Sequence, residues 1–401
     1  MPQTLRNCRL IPELSGGACG LHDVVIDNGK IESILVAGGK AAEDDIDCGG
    51  KTLLPGLFDL HNHLSYFVDF TDSIRNDFEL LMYGGLSVKK FLDYGVTTVR
   101  DMGSARRLAI AIRNAVNKGL FVGPRIIAAG RLIGPPEAAD LKDGIDLAGS
   151  KGVSGVDEMT RAAREEFAEG ADVLKIYASG SGLSPTGQPT KPILFPEEVR
   201  AAVRVANLVG KRVAAHCHST EAIRMCIDEG VYTIEHATFI DNESIEKIKD
   251  GRTYLVPTFT PMHHRKGAFK DPVEDERLEK RLADFAKKSS VHIRAAYEAG
   301  LVMGFGTDVA VETFGVRTGM EFKMRKELCD MANVDMLLQA TKHSALIAGL
   351  ENVTGQVKEG LAADLLLVDG NPDANIEVMY QKPEMVVLGG KIVKRDGILC
   401  V

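Results

Sequence analysis

Short apolar runs typical of β-strands alternate with helix-like segments through the middle of this chain, and no other feature constrains its fold as strongly. One run ends at His61, and the others cover residues 96–100, 125–129, 173–177, 212–216, 233–236, 254–257 and 302–306. Helical periodicity marks segments between them, such as residues 196–206, where Pro196 suits the first helical turn. Eight such units in roughly 300 residues match a (β/α)8 barrel, whereas a doubly wound sheet would carry a Gly-x-Gly-x-x-Gly motif after its first strand. The sequence therefore predicts an α/β fold, a TIM barrel with insertions.

Both ends of the chain have the pattern of antiparallel sheet. Near the N-terminus, Asn28-Gly29 separates two strand-like segments, which is typical of a tight β-hairpin. Residues 363–368 and 385–394 repeat the strand pattern near the C-terminus. Because chain ends commonly lie close together, we expect residues 1–56 and 357–401 to form one small β-sandwich domain. Residues 57–356 would then form the catalytic barrel.

The composition is that of an ordinary soluble globular protein, with 45% hydrophobic and 26% charged residues among 401. A formal net charge of -8 opposes binding to a phosphate backbone, so nucleic acid is not an expected partner. The sequence contains neither an apolar stretch of membrane-spanning length nor a signal-like start, which predicts a cytoplasmic protein without a membrane partner. Its seven cysteines lack Cys-x-x-Cys spacing, which favours reduced, structural thiols.

Histidines suited to metal binding end the first barrel strand. Side chains two residues apart in a strand project from one face, so His61 and His63 can bind one metal ion together. An isolated His-x-His pair is more often an ordinary polar strand end, but this pair is not isolated. Because the carboxyl ends of barrel strands carry the chemistry, ligand-type residues on five strands predict a metal centre there. The other four are Lys175, His216, His236 and Asp308.

Lys175 stands between apolar neighbours in a predicted buried strand, where an ammonium group is costly. A salt bridge to a carboxylate such as Asp308 is one solution. The alternative is that burial lowers the pKa of Lys175, so that the neutral amine reacts with carbon dioxide and the resulting anionic carbamate bridges two metal ions.

These positions resemble the amidohydrolase superfamily, whose members combine a His-x-His strand with a carboxylated lysine, two further histidines and an aspartate. The resemblance covers nearly the whole chain and includes the motifs at residues 54–63 and 354–372. Residues 175–186 and 235–238 are similar to the prolidase-like branch, which groups with imidazolonepropionase-related proteins. Members of that branch hydrolyse Xaa-Pro or basic C-terminal dipeptides.

The resemblance implies a binuclear metal centre, with zinc as the expected metal and other divalent ions as alternatives. Lys175, carboxylated by carbon dioxide, and a hydroxide would bridge the two ions. The hydroxide would attack the scissile carbonyl, and Asp308 would carry a proton to the leaving amine. The implied ligands are His61, His63 and Asp308 for the first ion, and His216 and His236 for the second.

Further residues are candidates for substrate contact. Tyr177 shares the strand face of Lys175, so its hydroxyl could stabilise the tetrahedral intermediate or bind a substrate carboxylate. Arg131, Arg265 and Arg317 are candidates because a guanidinium group binds a carboxylate at two points. We expect His263 and His264, in a loop beyond the seventh strand, to be exposed to solvent, with substrate contact as the alternative.

Three positions depart from the prolidase-like pattern or fall outside it. Relatives carry Gly-Gly-His-Gly after the third strand, but residues 131–138 contain no histidine, and Phe314-Gly315 replaces a frequent His-Gly pair. His218 matches no ligand position, so we expect it to support the site or to pack.

The predicted function is a binuclear zinc hydrolase of small molecules that acts as a homo-oligomer. We expect it to cleave an amide bond of a dipeptide or N-acyl amino acid. Carbamates, ureas, cyclic amides and organophosphate esters are alternative substrates. A mononuclear deaminase is disfavoured because such enzymes lack a lysine equivalent to Lys175. A non-enzymatic scaffold is disfavoured because no ligand position is lost.

Overall fold

A computed structural model describes residues 2–64, 77–136, 150–180, 190–263, 272–310 and 318–401. The strands, numbered along the chain, are β1 (Gln3–Leu10), β2 (Gly20–Asp27), β3 (Lys30–Val36), β4 (Ile46–Asp47), β5 (Thr52–Pro55), β6 (Leu57–His63), β7 (Val96–Asp101), β8 (Arg125–Ala128), β9 (Leu132–Gly134), β10 (Ser150–Gly152), β11 (Val173–Tyr177), β12 (Arg212–Cys217), β13 (Thr233–His236), β14 (Tyr254–Val256), β15 (Val309–Ala310), β16 (Leu365–Val368), β17 (Met385–Leu388), β18 (Lys391–Arg395) and β19 (Ile398–Leu399).

The α-helices are α1 (Asp77–Asp93), α2 (Leu108–Asn117), α3 (Val156–Ala168), α4 (Pro196–Leu208), α5 (Thr220–Asp228), α6 (Asn242–Ile248), α7 (Pro272–Glu298), α8 (Thr318–Cys329), α9 (Asn333–Leu338) and α10 (Ser344–Ala348). The predicted helix at residues 196–206 is therefore confirmed as α4. Pro196 occupies its first turn, and the Glu198 carboxylate accepts a hydrogen bond from the Phe195 N–H at 2.8 Å.

Parallel strands form the predicted barrel. β6, β7 and β8 pair in order, as do β11, β12, β13 and β14. Every residue of β6 and β7 is buried, as expected for strands that helices cover. The barrel closes where Met303 bridges Leu255 and the Leu60 N–H donates to the Phe305 carbonyl at 2.7 Å. The α/β barrel is confirmed, with the carboxyl ends of its strands at one end.

The third and eighth barrel strands are less regular than the sequence suggests. The third breaks after β8 and resumes as β9, which pairs with β11. Gly130 lies in this break with φ +78°, where a Cβ atom would approach the Glu166 carboxylate to 2.5 Å. In the eighth run, residues 302–306 make a single bridge at Met303, and the pairing with β6 passes to β15. Prediction by apolar runs misses the break at Gly130 because it accompanies a contact with a carboxylate rather than a change in hydrophobicity.

Strands from both ends of the chain form a second, nine-stranded sheet in the order β19-β18-β17-β16-β5-β1-β2-β3, with β4 beside β1. The predicted hairpin is confirmed between β2 and β3, where Asn28 and Gly29 both have positive φ angles, 49° and 79°. This sheet has its own apolar core, which includes Leu5, Val24 and Leu365. The exact domain boundaries stay a prediction. Within the described residues, no helix is both long enough and apolar enough to cross a membrane.

Candidate metal centre

The first three candidate ligands meet at the carboxyl end of β6. One oxygen of Asp308, Oδ1, lies 3.4 Å from Nε2 of His61 and 3.3 Å from Nε2 of His63. Lys175, in the centre of β11, directs its Nζ to within 3.2 Å of the same His61 nitrogen. One carboxylate, two imidazoles and a buried amine therefore face a common point.

The two remaining candidate ligands complete the cluster. The His236 ring lies 4.7 Å from the His61 ring and 4.5 Å from the His216 ring, measured between centroids. Its Nδ1 is 3.9 Å from Oδ2 of Asp308. All six candidates thus lie together, although they come from five strands or strand ends. Their individual roles as ligands stay a prediction.

Hydrogen bonds to Nδ1 orient the imidazoles. His61 donates from Nδ1 to Oε2 of Glu235 at 2.8 Å, and His63 donates from Nδ1 to the Gly103 carbonyl at 2.7 Å. Nδ1 of His236 shares a hydrogen bond of 2.7 Å with the Thr258 hydroxyl. A hydrogen bond donated from Nδ1 fixes the tautomer of a histidine, and the Nε2 lone pair of His61 and of His63 can then bind a metal ion.

Sequence reasoning missed the charged pair beneath His61. Glu235 and Arg100 are 0% and 3% exposed, and Oε1 of Glu235 accepts hydrogen bonds from Arg100 at 2.8 Å and from the Thr233 hydroxyl at 2.5 Å. Arg100 also donates to the Leu60 carbonyl at 2.6 Å. The available signal was a charged residue inside each of two apolar strand runs, because a buried charge needs a partner.

A second missed carboxylate supports His63. The Asp101 side chain accepts hydrogen bonds from the N–H groups of Leu64 and Gly103 at 2.8 and 3.0 Å and from the Ser104 hydroxyl at 2.6 Å. It therefore holds the turn whose Gly103 carbonyl receives the proton of His63.

Burial sets the protonation states of the cluster. It lowers the pKa of His61, His216 and His236 well below the ordinary value, and nearby Lys175 acts in the same direction. Burial also lowers the pKa of Lys175 from 10.5 to about 8, against the opposing charges of Glu235 and Asp308. At pH 7 roughly one Lys175 in ten is therefore a neutral amine, a far larger share than for an exposed lysine. Neutral imidazoles and a reactive amine are the forms that metal binding and carbamate formation require.

The donor set fits a divalent metal. Nε2 of His216 is buried and has no hydrogen-bond partner among the residues that the structure describes. A buried nitrogen of this kind is costly unless something binds it. Ligand atoms of His61, His236 and Asp308, and likewise those of His216, His218 and His236, lie within 4.8 Å of one another. Imidazole and carboxylate ligands suit zinc among the common metals.

His218 and Tyr177 flank this cluster. The His218 ring stacks on His236 with 4.9 Å between centroids, and its Nδ1 shares a 2.7 Å hydrogen bond with the Thr238 hydroxyl. Burial lowers the pKa of His218 to about 3. The Tyr177 ring is half-buried and lies 4.5 Å from the His216 ring, so it borders the cluster. Contact of its hydroxyl with substrate stays a prediction.

The other candidates do not join the site in the described part of the chain. Arg131 bonds to Glu166 at 2.7 Å and to Glu165 at 3.2 Å, so its guanidinium group is already engaged by two carboxylates. Sγ of Cys217 lies 3.6 Å from Sγ of Cys226, and both thiols are free and buried, as expected for structural cysteines. His263 follows a short 3₁₀ helix, Thr260–Met262. Outside the described residues lie His264, Arg265, Phe314, Gly315, Arg317 and the end of the loop at residues 131–138.

Comparisons of both sequence and structure find similar known proteins. The Amidohydrolase family profile matches residues 52–393. Ochratoxinase from Aspergillus niger is 28% identical over 380 residues, which cover 86% of this chain and 76% of that protein. A solved Xaa-Pro dipeptidase with bound methionine superposes with a TM-score of 0.87 at 30% identity, covering 98% of this chain and 100% of the other. A prolidase in complex with N-methylphosphonate-L-proline gives a TM-score of 0.85 at 28% identity, with coverages of 98% and 100%.

Proposed function

Because this chain belongs to the amidohydrolase family, we propose that it hydrolyses the amide bond of a dipeptide or an N-acyl amino acid at a binuclear metal centre. The observation that carries the proposal is the convergence of four imidazoles, the Asp308 carboxylate and the Lys175 amine on one buried point. The resemblance to a Xaa-Pro dipeptidase and a prolidase supports an amide substrate.

The candidate ligands would be shared between two zinc ions. We assign His61, His63 and Asp308 to the first ion, and His216 and His236 to the second, with carboxylated Lys175 between them. When bound, the ions would supply an activated water molecule and polarise the scissile carbonyl. The donor chemistry supports this assignment, since burial lowers the pKa of His61, His216 and His236 and Nε2 of His216 is otherwise unpaired within the described residues.

Lys175 becomes an anionic ligand when its amine forms a carbamate with carbon dioxide. The neutral amine attacks the carbon of carbon dioxide, and a C–N bond forms as one C=O π bond opens and its electron pair moves to oxygen. The nitrogen then releases one proton to water, which leaves the anionic carbamate. Burial supports this step because it lowers the pKa of Lys175 to about 8. The carbamate then removes the cost of a buried ammonium group next to four histidines.

Asp308 moves the proton of the reaction. Its side chain is 17% exposed, whereas His61 is 1% exposed, so among these two residues it is the one that reaches toward the open side of the site. Its carboxylate would accept a proton from the attacking water and deliver it to the leaving amine. Asp308 also has a φ angle of 49°, and His236 has one of 67°, so the backbone of both residues adopts an uncommon conformation.

Metal analysis and substrate screening test the proposal. We expect about two zinc ions per chain and cleavage of dipeptides or N-acyl amino acids, with ureas, carbamates, cyclic amides and organophosphate esters as comparison substrates. Asp308→Asn should lower kcat by about 10²- to 10⁴-fold. Asp330→Asn is the matched control because Asp330 also has a positive φ angle, 47°, but lies outside the site and pairs with Lys326.

Several outcomes would contradict the proposal. Absence of bound metal after supplementation would exclude the centre, and cleavage confined to organophosphate esters would exclude the amide substrate. Two metal ions retained by Lys175→Ala would exclude the bridging carbamate. Assembly as a homo-oligomer and a cytoplasmic location are further proposals, which light scattering and cell fractionation test.

A further inference from the structure

A buried ion pair lies behind the metal centre on helix α8. Glu321 and Arg325, one helical turn apart, are both 0% exposed, and Nε of Arg325 donates to Oε1 of Glu321 at 2.9 Å. Neither residue belongs to the proposed ligands. A buried ion pair stabilises a fold no better than well-packed apolar residues in many proteins, so stability alone does not account for it.

The pair binds the main chain on both sides of Thr258. Oε2 of Glu321 accepts hydrogen bonds from the N–H groups of Phe259 and Thr260, each at 2.9 Å, and from the Thr260 hydroxyl at 2.8 Å. Arg325 donates to the Pro257 carbonyl at 2.7 Å. Residues 257–260 are therefore fixed to α8 by four hydrogen bonds, three of which involve their backbone.

Thr258 connects this segment to the metal centre. Its hydroxyl shares the 2.7 Å hydrogen bond with Nδ1 of His236. Any shift of residues 257–260 would move that hydroxyl and with it the plane of the His236 ring. The ion pair thus reaches a candidate ligand through one intermediate residue.

Arg325 also binds the eighth barrel strand. It donates to the Gly304 carbonyl at 3.2 Å and to Oε1 of Gln339 at 2.5 Å, and its guanidinium carbon lies 4.7 Å above the Phe305 ring. Gly304 precedes Asp308 by four residues in a run that makes only one strand bridge. The Gly304 N–H also donates to the Leu255 carbonyl at 2.8 Å, so the bonds from Arg325 add to the main-chain pairing of this run with β14.

We infer that Glu321 and Arg325 are positioning residues, a clamp that holds the backbone segments of Thr258 and Gly304 so that His236 and Asp308 face the metal. The inference rests on the proposed function, because it treats these two residues as ligands. Loss of a group that orients a ligand weakens metal binding about 10- to 100-fold.

The test measures zinc affinity by competition with a chromophoric chelator, using full-length protein. Arg325→Lys keeps the charge but cannot reach Glu321, Pro257 and Gly304 together, so we expect zinc affinity to fall at least 10-fold. If Arg325→Lys does not fold, Glu321→Gln is the second test variant, because it preserves the size of the side chain. The matched control is Lys394→Met, which removes another fully buried cation, on β18, that pairs with Asp93 at 2.8 Å. This control should lower the melting temperature and leave zinc affinity and kcat unchanged.

A double-mutant cycle with Thr258→Val separates positioning from general stability. If the clamp acts through Thr258, the losses of zinc affinity in Thr258→Val and Arg325→Lys are less than multiplicative when combined. Wild-type zinc affinity in Arg325→Lys, or fully multiplicative losses, would overturn the route through His236. Zinc binding without hydrolysis in the wild type would refute the proposed function alone, and a wild type that binds no zinc would overturn both.

Discussion

Glu235→Gln is the substitution that most directly probes how the site is supported. Three donors point at this carboxylate: Nδ1 of His61, a guanidinium nitrogen of Arg100 and the Thr233 hydroxyl. A glutamine side chain offers one acceptor atom and adds two donors of its own. At least one existing donor would therefore lose its partner.

The magnitude follows from the burial of the pair. Arg100 is 3% exposed and Glu235 is 0% exposed, so the substitution leaves a cation uncompensated in the interior. Removal of one partner from a buried ion pair costs about 3–5 kcal/mol. His61 also loses the group that fixes its tautomer, and we expect zinc affinity to fall about 10- to 100-fold.

Urea denaturation of the metal-free protein gives the stability change, and chelator competition gives the zinc affinity. The control is Glu166→Gln, because Glu166 is also fully buried and pairs with Arg107 and Arg131, whose side chains are 25% and 19% exposed. We expect a smaller loss of stability there, since water can reach these arginines, and unchanged zinc affinity. Unchanged zinc affinity in Glu235→Gln would refute the claim that this carboxylate orients His61.

Two further predictions concern the interior of the barrel. Burial lowers the pKa of Lys175 from 10.5 to about 8 in the folded, metal-free protein, so between these pH values the unfolded chain holds a proton that the folded chain has lost. Raising the pH from about 8 to 10.5 should therefore add about 3 kcal/mol to the free energy of unfolding. Urea denaturation across that range measures this gain, which should be absent from Lys175→Met. At Gly306 a Cβ atom would lie 2.7 Å from Cβ of His61, so Gly306→Ala should cost about 1–3 kcal/mol and reduce zinc content. The matched control is Gly39→Ala, which like Gly306 lies outside the left-handed region but has no atom within 4 Å of its Cβ, and which should leave zinc content unchanged. Normal zinc content in Gly306→Ala would show that β6 tolerates the displacement.

The sequence predicts the parts of this molecule that depend on local pattern. Parallel strands buried on both faces read as apolar runs, so the barrel strands could be located, and the hairpin at Asn28-Gly29 follows from a turn that needs two positive φ angles. The six candidate ligands could be selected because their residue types recur at strand ends.

The supporting contacts could not be predicted in this way. Arg100 meets Glu235 across 135 positions of sequence, and Glu321 meets Phe259 across 62. Which buried charge pairs with which depends on the stagger of neighbouring strands and on the angle of a helix, and neither is encoded in a local pattern. The break at Gly130 has the same origin, because the carboxylate that occupies the space comes from α3.

The order of strands in the terminal sheet has a consequence for how the protein is made. β5 pairs with β16, so Leu54 lies opposite Leu366 although more than three hundred positions separate them in the chain. On the ribosome, the edge of β5 that faces β16 therefore stays unpaired until the more than three hundred residues between the two strands have emerged. An exposed edge of this kind can bind other nascent chains, and contacts so distant in sequence form slowly. Aggregation during synthesis is therefore a hazard of this strand order.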